Sequence, residues 1–168
     1  MLYQEFTLES PDKLNTSLYD RFVELSAADR IRQTHYFGDR FENSYIDEAD
    51  IPDITTLLVV VKQQAGLLLG VAAETLKAGF WFNAMEAGHR TTLHHHDEND
   101  ELLSAVYYIR VPENSGDLIL HEADKQVIIQ PQEGKLVMFA PAVPHEVTAN
   151  HSGEMRLSVA FNVGPADG

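Results

Sequence analysis

A run of three histidines closed by two carboxylates has the residue types that could bind a metal: His94, His95, His96, Asp97 and Glu98. Neutral imidazole and carboxylate suit divalent non-haem iron or a similar metal ion. In a strand the side chains alternate, so only residues two apart can point at one metal. The candidate pairs are therefore His94 with His96, His95 with Asp97, and His96 with Glu98. The competing interpretation is a solvated, histidine-rich loop that binds metal by accident.

A third ligand is predicted downstream at His145, which opens a strand-like segment after the apolar run 135–139. Pro141 and Pro144 fix the turn that aims it. Three protein ligands on one face leave other coordination positions open, which is the logic of the facial triad in non-haem iron sites. A lone histidine at a strand start would be interpreted as structural without the upstream run. That interpretation is kept for the histidines outside this context, which are His35, His89, His121 and His151.

Arg156 is the candidate anchor for an anionic co-substrate. It opens an apolar strand and alternates there with Ser158 on one face. A guanidinium inside a β sandwich needs an anion, and its fork suits a carboxylate bidentately. Tyr108, on the strand that follows the histidines, could add its hydroxyl. Together they would hold the distal carboxylate of 2-oxoglutarate, whose keto-acid end would chelate the metal. Surface placement of Arg156 is the alternative.

Eight short strands are expected to position these residues. From about residue 78, apolar runs follow one another between glycine, proline and asparagine, which is typical of an antiparallel sandwich or barrel. The runs are 80–85, 91–96, 102–111, 117–122, 126–129, 135–140, 145–149 and 156–163. Eight such strands predict a jelly roll, so the fold class is mainly β with N-terminal helices (α+β), a cupin-like double-stranded β-helix.

The N-terminal part is predicted to be helical. A first helix is expected to run to about residue 27, with Ser10 as N-cap and Pro11 at the first helical position. A second is expected over 55–69, ended by Gly70, although 59–61 would also suit a strand. Between them, 36–46 is predicted as a short strand or irregular segment, with Arg40 and Asn43 as candidates for a pocket rim.

Length and charge restrict the class of protein. The 168 residues, 44% hydrophobic, predict a single domain, 1–168, with a support region 1–77 and a core 78–164. No cysteine is present, so a metal must be held by nitrogen and oxygen. The net charge of −14 argues against nucleic acid and anionic lipid as partners. No export signal or membrane span is read, and a cytoplasmic location is expected. The oligomeric state is left open, with a homodimer as one option.

Several of these pieces resemble the 2-oxoglutarate/Fe(II)-dependent oxygenases of the double-stranded β-helix superfamily. They are Trp81-Phe82-Asn83, the histidine run 94–96, and the segments 104–108, 139–147 and 156–162. The resemblance covers 78–164. In the branch most resembled, a histidine pair two apart precedes a Ser-Gly-aromatic strand, and a distal histidine and an Arg-x-Ser strand follow.

Carried over, the resemblance implies His94, His96 and His145 as metal ligands, Arg156 as the co-substrate anchor, and Asn83 facing the same cavity. Ala105 stands where that branch has glycine, and the spacing from the histidines to Ser104 is two residues longer. The wider superfamily uses His-x-Asp, which His95 and Asp97 also fit. The segment 88–94, which leads from the preceding turn to the first histidine, matches that branch. This match favours His94 and His96 as the pair.

The function expected is that of an Fe(II)- and 2-oxoglutarate-dependent dioxygenase, which hydroxylates an unknown small molecule or protein and forms succinate and carbon dioxide. Two alternatives remain: a cupin-like metal-binding module, and a three-histidine dioxygenase that does not use 2-oxoglutarate. Arg156 discriminates between them, since an arginine pointing to solvent would leave 2-oxoglutarate without an anchor. The loops 99–101 and 113–116 would set specificity, and no code for the substrate can be read in them.

Overall fold

Two antiparallel sheets and two α-helices make up the protein in a computed structural model that describes residues 3–96 and 100–166. The elements are β1 (Tyr3–Thr7), α1 (Asp12–Ala27), β2 (Arg32–Phe37), β3 (Arg40–Tyr45), α2 (Ile54–Leu69), β4 (Leu76–Met85), β5 (Thr91–His94), β6 (Leu103–Arg110), β7 (Leu118–Glu122), β8 (Lys125–Ile129), β9 (Lys135–Phe139), β10 (His145–Val147) and β11 (Arg156–Pro165).

The strands β4–β11 form the predicted jelly roll. The larger sheet has the order β1-β9-β6-β11-β4-β3-β2, and the smaller sheet has the order β5-β10-β7-β8. Consecutive strands therefore pass between the sheets, except β7 and β8, which pair within the smaller one. All eight predicted strands are present, and the fold class predicted from sequence is confirmed.

The larger sheet separates a helix-covered core from the space between the sheets. Val159 and Phe161 on β11 are buried in the same cluster as Leu18 of α1 and Leu57 of α2. Because side chains alternate along a strand, the intervening Ser158 points the other way, towards the smaller sheet. The face between the sheets is therefore free to carry polar groups.

The N-terminal region differs from the prediction at the start of α1 and in its additional strands, whereas a strand is present in 36–46 as one of the two predicted options. Ser10 does not cap α1, because its φ is +51° and Pro11 occupies the N-cap position without a side-chain hydrogen bond. Segment 36–46 belongs to the hairpin β2–β3, whose turn residues Gly38 and Asp39 both have positive φ, as a tight two-residue hairpin turn requires. The expected helical support 1–77 also supplies β1, β2 and β3 to the larger sheet.

Helix α2 begins and ends as predicted. It runs over Ile54–Leu69, and Gly70 follows in the left-handed conformation that a glycine C-cap favours. None of the helices in the described ranges combines the length and apolar character needed to cross a lipid bilayer.

Candidate active site

The strands β5 and β10 bring three histidines together at one end of the roll. His94 and His145 are directly opposite each other in the antiparallel pair. His96 follows two residues after His94 and lies on the same side. Each of the three histidines has one ring nitrogen that lies within 4.8 Å of a ring nitrogen of the other two. This is the residue set that the sequence analysis favoured.

Backbone carbonyls orient two of these rings. The Nδ1 of His94 lies 2.6 Å from the carbonyl oxygen of Thr92, and the Nδ1 of His145 lies 3.0 Å from that of Val143. A carbonyl can only accept a hydrogen bond, so each Nδ1 carries the proton. The Nε2 lone pair of each ring is therefore left for a metal, the usual arrangement of a ligating histidine.

The surroundings keep the imidazoles of His96 and His145 neutral. Phe139 packs against His145 at 4.7 Å between ring centroids, and Trp81 packs against His96 at 5.5 Å. Burial, followed by the neighbouring His94, lowers the pKa of His145 to about 3 and that of His96 to about 4. Since only a neutral imidazole can ligate, both rings are ready to bind a metal at neutral pH.

The other two candidate pairs are not brought together among the described residues. His95 is exposed and does not join the cluster, because alternation turns it away from its two neighbours. Asp97 and Glu98, which would complete those pairs, lie outside the described residues.

Arg156 is buried at the start of β11, with 1% of its surface exposed. Its Nη1 donates to the sulfur of Met85 at 3.3 Å, and its Cζ lies 5.2 Å from the centroid of the Tyr108 ring. Nε and Nη2 have no hydrogen-bond partner among the described residues. Burial lowers the pKa of Arg156, and the nearby Tyr108 opposes that shift. A buried cation with unpaired donors indicates a place for an anion.

The other predicted co-substrate residues line the same cavity. This cavity reaches from the three histidines to Arg156. Ser158 on β11 stands between Asn83 on β4 and Tyr108 on β6 in the sheet register. The Tyr108 hydroxyl lies near the Arg156 guanidinium but makes no hydrogen bond of normal geometry among the described residues, and burial raises the pKa of Tyr108 to about 12. The hydroxyl thus keeps its proton and can donate to an anion.

Asn83 faces the cavity, but protein groups already engage its amide. Its Oδ1 accepts a hydrogen bond from Arg40, and its Nδ2 donates to the hydroxyl of Thr91 at 2.8 Å. The structure therefore fixes this amide whether or not a ligand is bound. The contact of Asn83 with a co-substrate stays a prediction.

Strand β3 contributes more to the site than the sequence indicated. Arg40, predicted at a pocket rim, is buried, and Asn43 lines the cavity. Glu42 was missed, although it is buried and lines the cavity beside His94. The available signal was the pair of charges two apart, Arg40 and Glu42, which on a strand face the same side.

The histidines interpreted as structural or exposed do not join the cluster among the described residues, although His35 lines the open groove next to it. His121 bonds to Glu146 through Nε2 at 2.8 Å, and the Nδ1 of His89 accepts the amide of Glu86 at 2.9 Å. His35 and His151 are exposed.

Comparison with protein families identifies the core of the chain. Residues 80–164 match the family described as the 2OG-Fe(II) oxygenase superfamily. No curated protein sequence gives a significant match. The matched residues contain His94, His96, His145 and Arg156, so the match includes both ends of the cavity.

Solved structures share the fold at low sequence identity. A prolyl-4-hydroxylase from Pseudomonas putida is 21% identical with a TM-score of 0.78, over 96% of this chain and 92% of the other. A prolyl hydroxylase from Trichoplax adhaerens, in complex with a peptide of the hypoxia inducible factor oxygen degradation domain, is 17% identical with a TM-score of 0.74, over 97% and 83%. The epimerase SnoN, in complex with Fe³⁺, alpha ketoglutarate and nogalamycin RO, is 16% identical with a TM-score of 0.75, over 98% and 79%.

The residues present fit the cofactors of that family. The three histidines offer nitrogen ligands that suit Fe(II), and the unpaired donors of Arg156 suit a carboxylate of 2-oxoglutarate. A cupin-like binding module and an oxygenase without 2-oxoglutarate, the two alternatives, are not favoured. The family match spans half of the length of this chain, which therefore belongs to the 2OG-Fe(II) oxygenase superfamily.

Proposed function

We propose that this Fe(II)- and 2-oxoglutarate-dependent oxygenase hydroxylates its substrate, with His94, His96 and His145 as the metal ligands and Arg156 as the anchor of 2-oxoglutarate. The observation that carries the proposal is the buried guanidinium of Arg156, whose unpaired donors border the same cavity as the histidine cluster. An anion with one carboxylate at Arg156 and a chelating end at the histidines would satisfy both groups.

Each residue has a distinct task in this proposal. The three imidazoles hold the metal in their neutral form, and Arg156 pairs with the distal carboxylate of 2-oxoglutarate. Tyr108 donates a hydrogen bond to that carboxylate and keeps its proton, and Ser158 lines the same cavity. Trp81 and Phe139 keep water away from the histidine rings. Bound there, Fe(II) supplies the activation of dioxygen, coupled to the conversion of 2-oxoglutarate into succinate and carbon dioxide.

The substrate would approach from the side opposite Arg156. An open groove lies between the hairpin β2–β3 and β5, and it shares Glu42, Asn43, His94 and His96 with the inner cavity. Exposed Phe37 and Leu93 line this groove. Proteins of this fold have been solved in complex with molecules as different as a peptide and nogalamycin RO. The fold therefore supports hydroxylation without selecting the substrate class.

The test is a titration of 2-oxoglutarate into anaerobic Fe(II)-loaded protein, followed by the metal-to-ligand absorption band. We expect Arg156→Ala to keep the metal and to weaken 2-oxoglutarate by about 1–3 kcal/mol, and Tyr108→Phe to weaken it by about 1 kcal/mol. Arg110→Ala is the matched control, because Arg110 is partly exposed and pairs with Glu154. Equal affinity in Arg156→Ala and the wild type would refute the assigned anchor.

A second measurement addresses the reaction. Iron-loaded protein with oxygen should convert 2-oxoglutarate into succinate, and a true substrate should accelerate that conversion and gain one oxygen atom. His145→Ala should lose both the metal and the turnover. If the wild type binds iron but never binds 2-oxoglutarate, the oxygenase without 2-oxoglutarate becomes the better assignment.

A further inference from the structure

Two charged side chains of β3 are buried beside the candidate metal site. Arg40 and Glu42 are each 6% exposed, and they point to the same side of the strand. Both precede residues 80–164, which match the superfamily. Burial of a charge is unfavourable unless hydrogen bonds and an opposite charge compensate it. The partners of these two residues therefore indicate what their burial achieves.

Glu42 is connected to a metal ligand through one residue. Its carboxylate accepts the backbone N–H of Thr92 at 2.8 Å through Oε2 and the Thr92 hydroxyl at 3.0 Å through Oε1. The carbonyl of the same Thr92 accepts the Nδ1–H of His94 at 2.6 Å. Glu42 therefore holds Thr92, the residue whose carbonyl orients the His94 ring.

Arg40 holds the connection between β4 and β5. Its Nη1 donates to the carbonyl of Arg90 at 2.8 Å, and its Nη2 donates to the carbonyl of Ala84 at 3.0 Å. Arg40 also compensates the charge of Glu42, with Nη1 at 3.9 Å from Oε2. The two side chains thus act as one unit that ties β3 to the chain just before His94.

Strand β5 needs this support because its own pairing is weak. It has four residues and is an edge strand of the smaller sheet within the described ranges. Its one neighbour there is β10, and the register between them shifts between His145 and Val147. A short edge strand with an irregular ladder leaves the orientation of its side chains poorly determined.

We propose that Glu42, supported by Arg40, is a positioning residue that fixes His94 through the backbone of Thr92, which makes the N-terminal hairpin β2–β3 part of the metal site. This inference rests on the proposed function, because it takes His94 as a ligand. Removal of a group that is hydrogen-bonded to a metal ligand commonly weakens metal affinity about 10- to 100-fold. Glu42 acts through Thr92, so the lower end of that range, about 10-fold, is expected here.

The test is the affinity of the metal-free protein for Co(II), measured from the ligand-field absorption bands of the bound ion. We expect Glu42→Gln to bind Co(II) about 10-fold more weakly and to show altered bands. Thr92→Val removes the hydroxyl that bonds to Glu42 and keeps the carbonyl that orients His94. It should weaken Co(II) in the same direction, and the double variant should bind no more weakly than the weaker single variant, because both changes break one connection.

Tyr107→Phe is the control for a purely structural effect. The Tyr107 hydroxyl is buried on the helix side of the larger sheet and donates to Asn15 at 2.7 Å. Its loss should lower the melting temperature and leave Co(II) affinity unchanged. If Glu42→Gln behaves in the same way, with lower stability and wild-type affinity, Glu42 is only structural and the inference is wrong.

The same titration separates this inference from the proposed function. Tight Co(II) binding by the wild type and its loss in His145→Ala support the metal site itself. Failure of that pair of results would overturn the site, and the role of Glu42 with it. If the wild type binds Co(II) tightly, His145→Ala does not, and Glu42→Gln has the affinity of the wild type, only the role of Glu42 would be overturned.

Discussion

Arg156 illustrates a conflict between stability and binding at a single residue. Its guanidinium is removed from water, and two of its nitrogens have no partner among the described residues. Such burial is unfavourable in the free protein and becomes favourable when an anion supplies the missing bonds. A residue that only stabilised the fold would be expected to have its donors satisfied by the protein.

Arg156→Met tests this conflict, since methionine retains much of the apolar stem and removes the charge. We expect the free energy of unfolding of the ligand-free protein not to fall, because the uncompensated burial is removed. The additional stability that saturating 2-oxoglutarate gives the Fe(II)-loaded wild type should largely disappear. Urea unfolding with and without 2-oxoglutarate measures both quantities. A large loss of stability in the ligand-free variant would show that protein groups already satisfy the arginine.

The choice of ligand register is also decided at single residues. His94 and His96 lie in the cluster with His145, whereas His95 is exposed. We therefore expect His94→Ala and His96→Ala to lose most of the bound iron and His95→Ala to retain it, as determined by metal analysis after anaerobic loading. Iron lost from His95→Ala and Asp97→Ala but retained by His94→Ala would instead identify the His95 and Asp97 register.

At the scale of elements, the sequence predicted the strands and the helix whose positions depend on neighbouring residues. The strands after residue 78 could be located because turn residues separate short apolar runs, and α2 because Gly70 suits its C-cap. Strand β1 was missed, because its pairing with β9 joins Tyr3 to Phe139 across most of the chain. Glu42 was missed for the same reason, since Thr92, its partner, is distant in sequence. Contacts of this kind depend on the assembled fold.

The turn before β7 packs against the chain that follows β10, the strand of His145. Gly116 is required in this turn. Gly116 has φ +106°, and a Cβ on it would lie 2.3 Å from the carbonyl oxygen of Thr148. We expect Gly116→Ala to lower the free energy of unfolding by about 2 kcal/mol or more, because strain and a backbone clash combine. Gly79→Ala is the matched control, since nothing lies within 4 Å of its added Cβ. Similar urea midpoints for both variants would show that the turn adjusts freely.

At the scale of the whole molecule, the site is larger than the part of the chain that carries the family match. The histidines and Arg156 come from the two sheets of the roll, and Glu42 and Arg40 come from the hairpin added to its edge. The same hairpin borders the groove through which substrate would approach. Changes in this N-terminal region can therefore affect both metal affinity and substrate choice.

The pH dependence of stability of the metal-free protein follows from the buried imidazoles. His145 has its pKa lowered to about 3 and His96 to about 4, from an ordinary value of 6.5. Below pH 6.5 the unfolded chain binds protons that the folded chain excludes, so stability falls as the pH decreases from 6.5 towards 4. His145 alone should account for about 2 kcal/mol of this loss at pH 5. Urea unfolding of the wild type and of His145→Gln, in the presence of a chelator between pH 7.5 and 5, measures how much of this loss of stability is due to His145. Parallel curves for the two proteins would show that His145 titrates normally in the folded state.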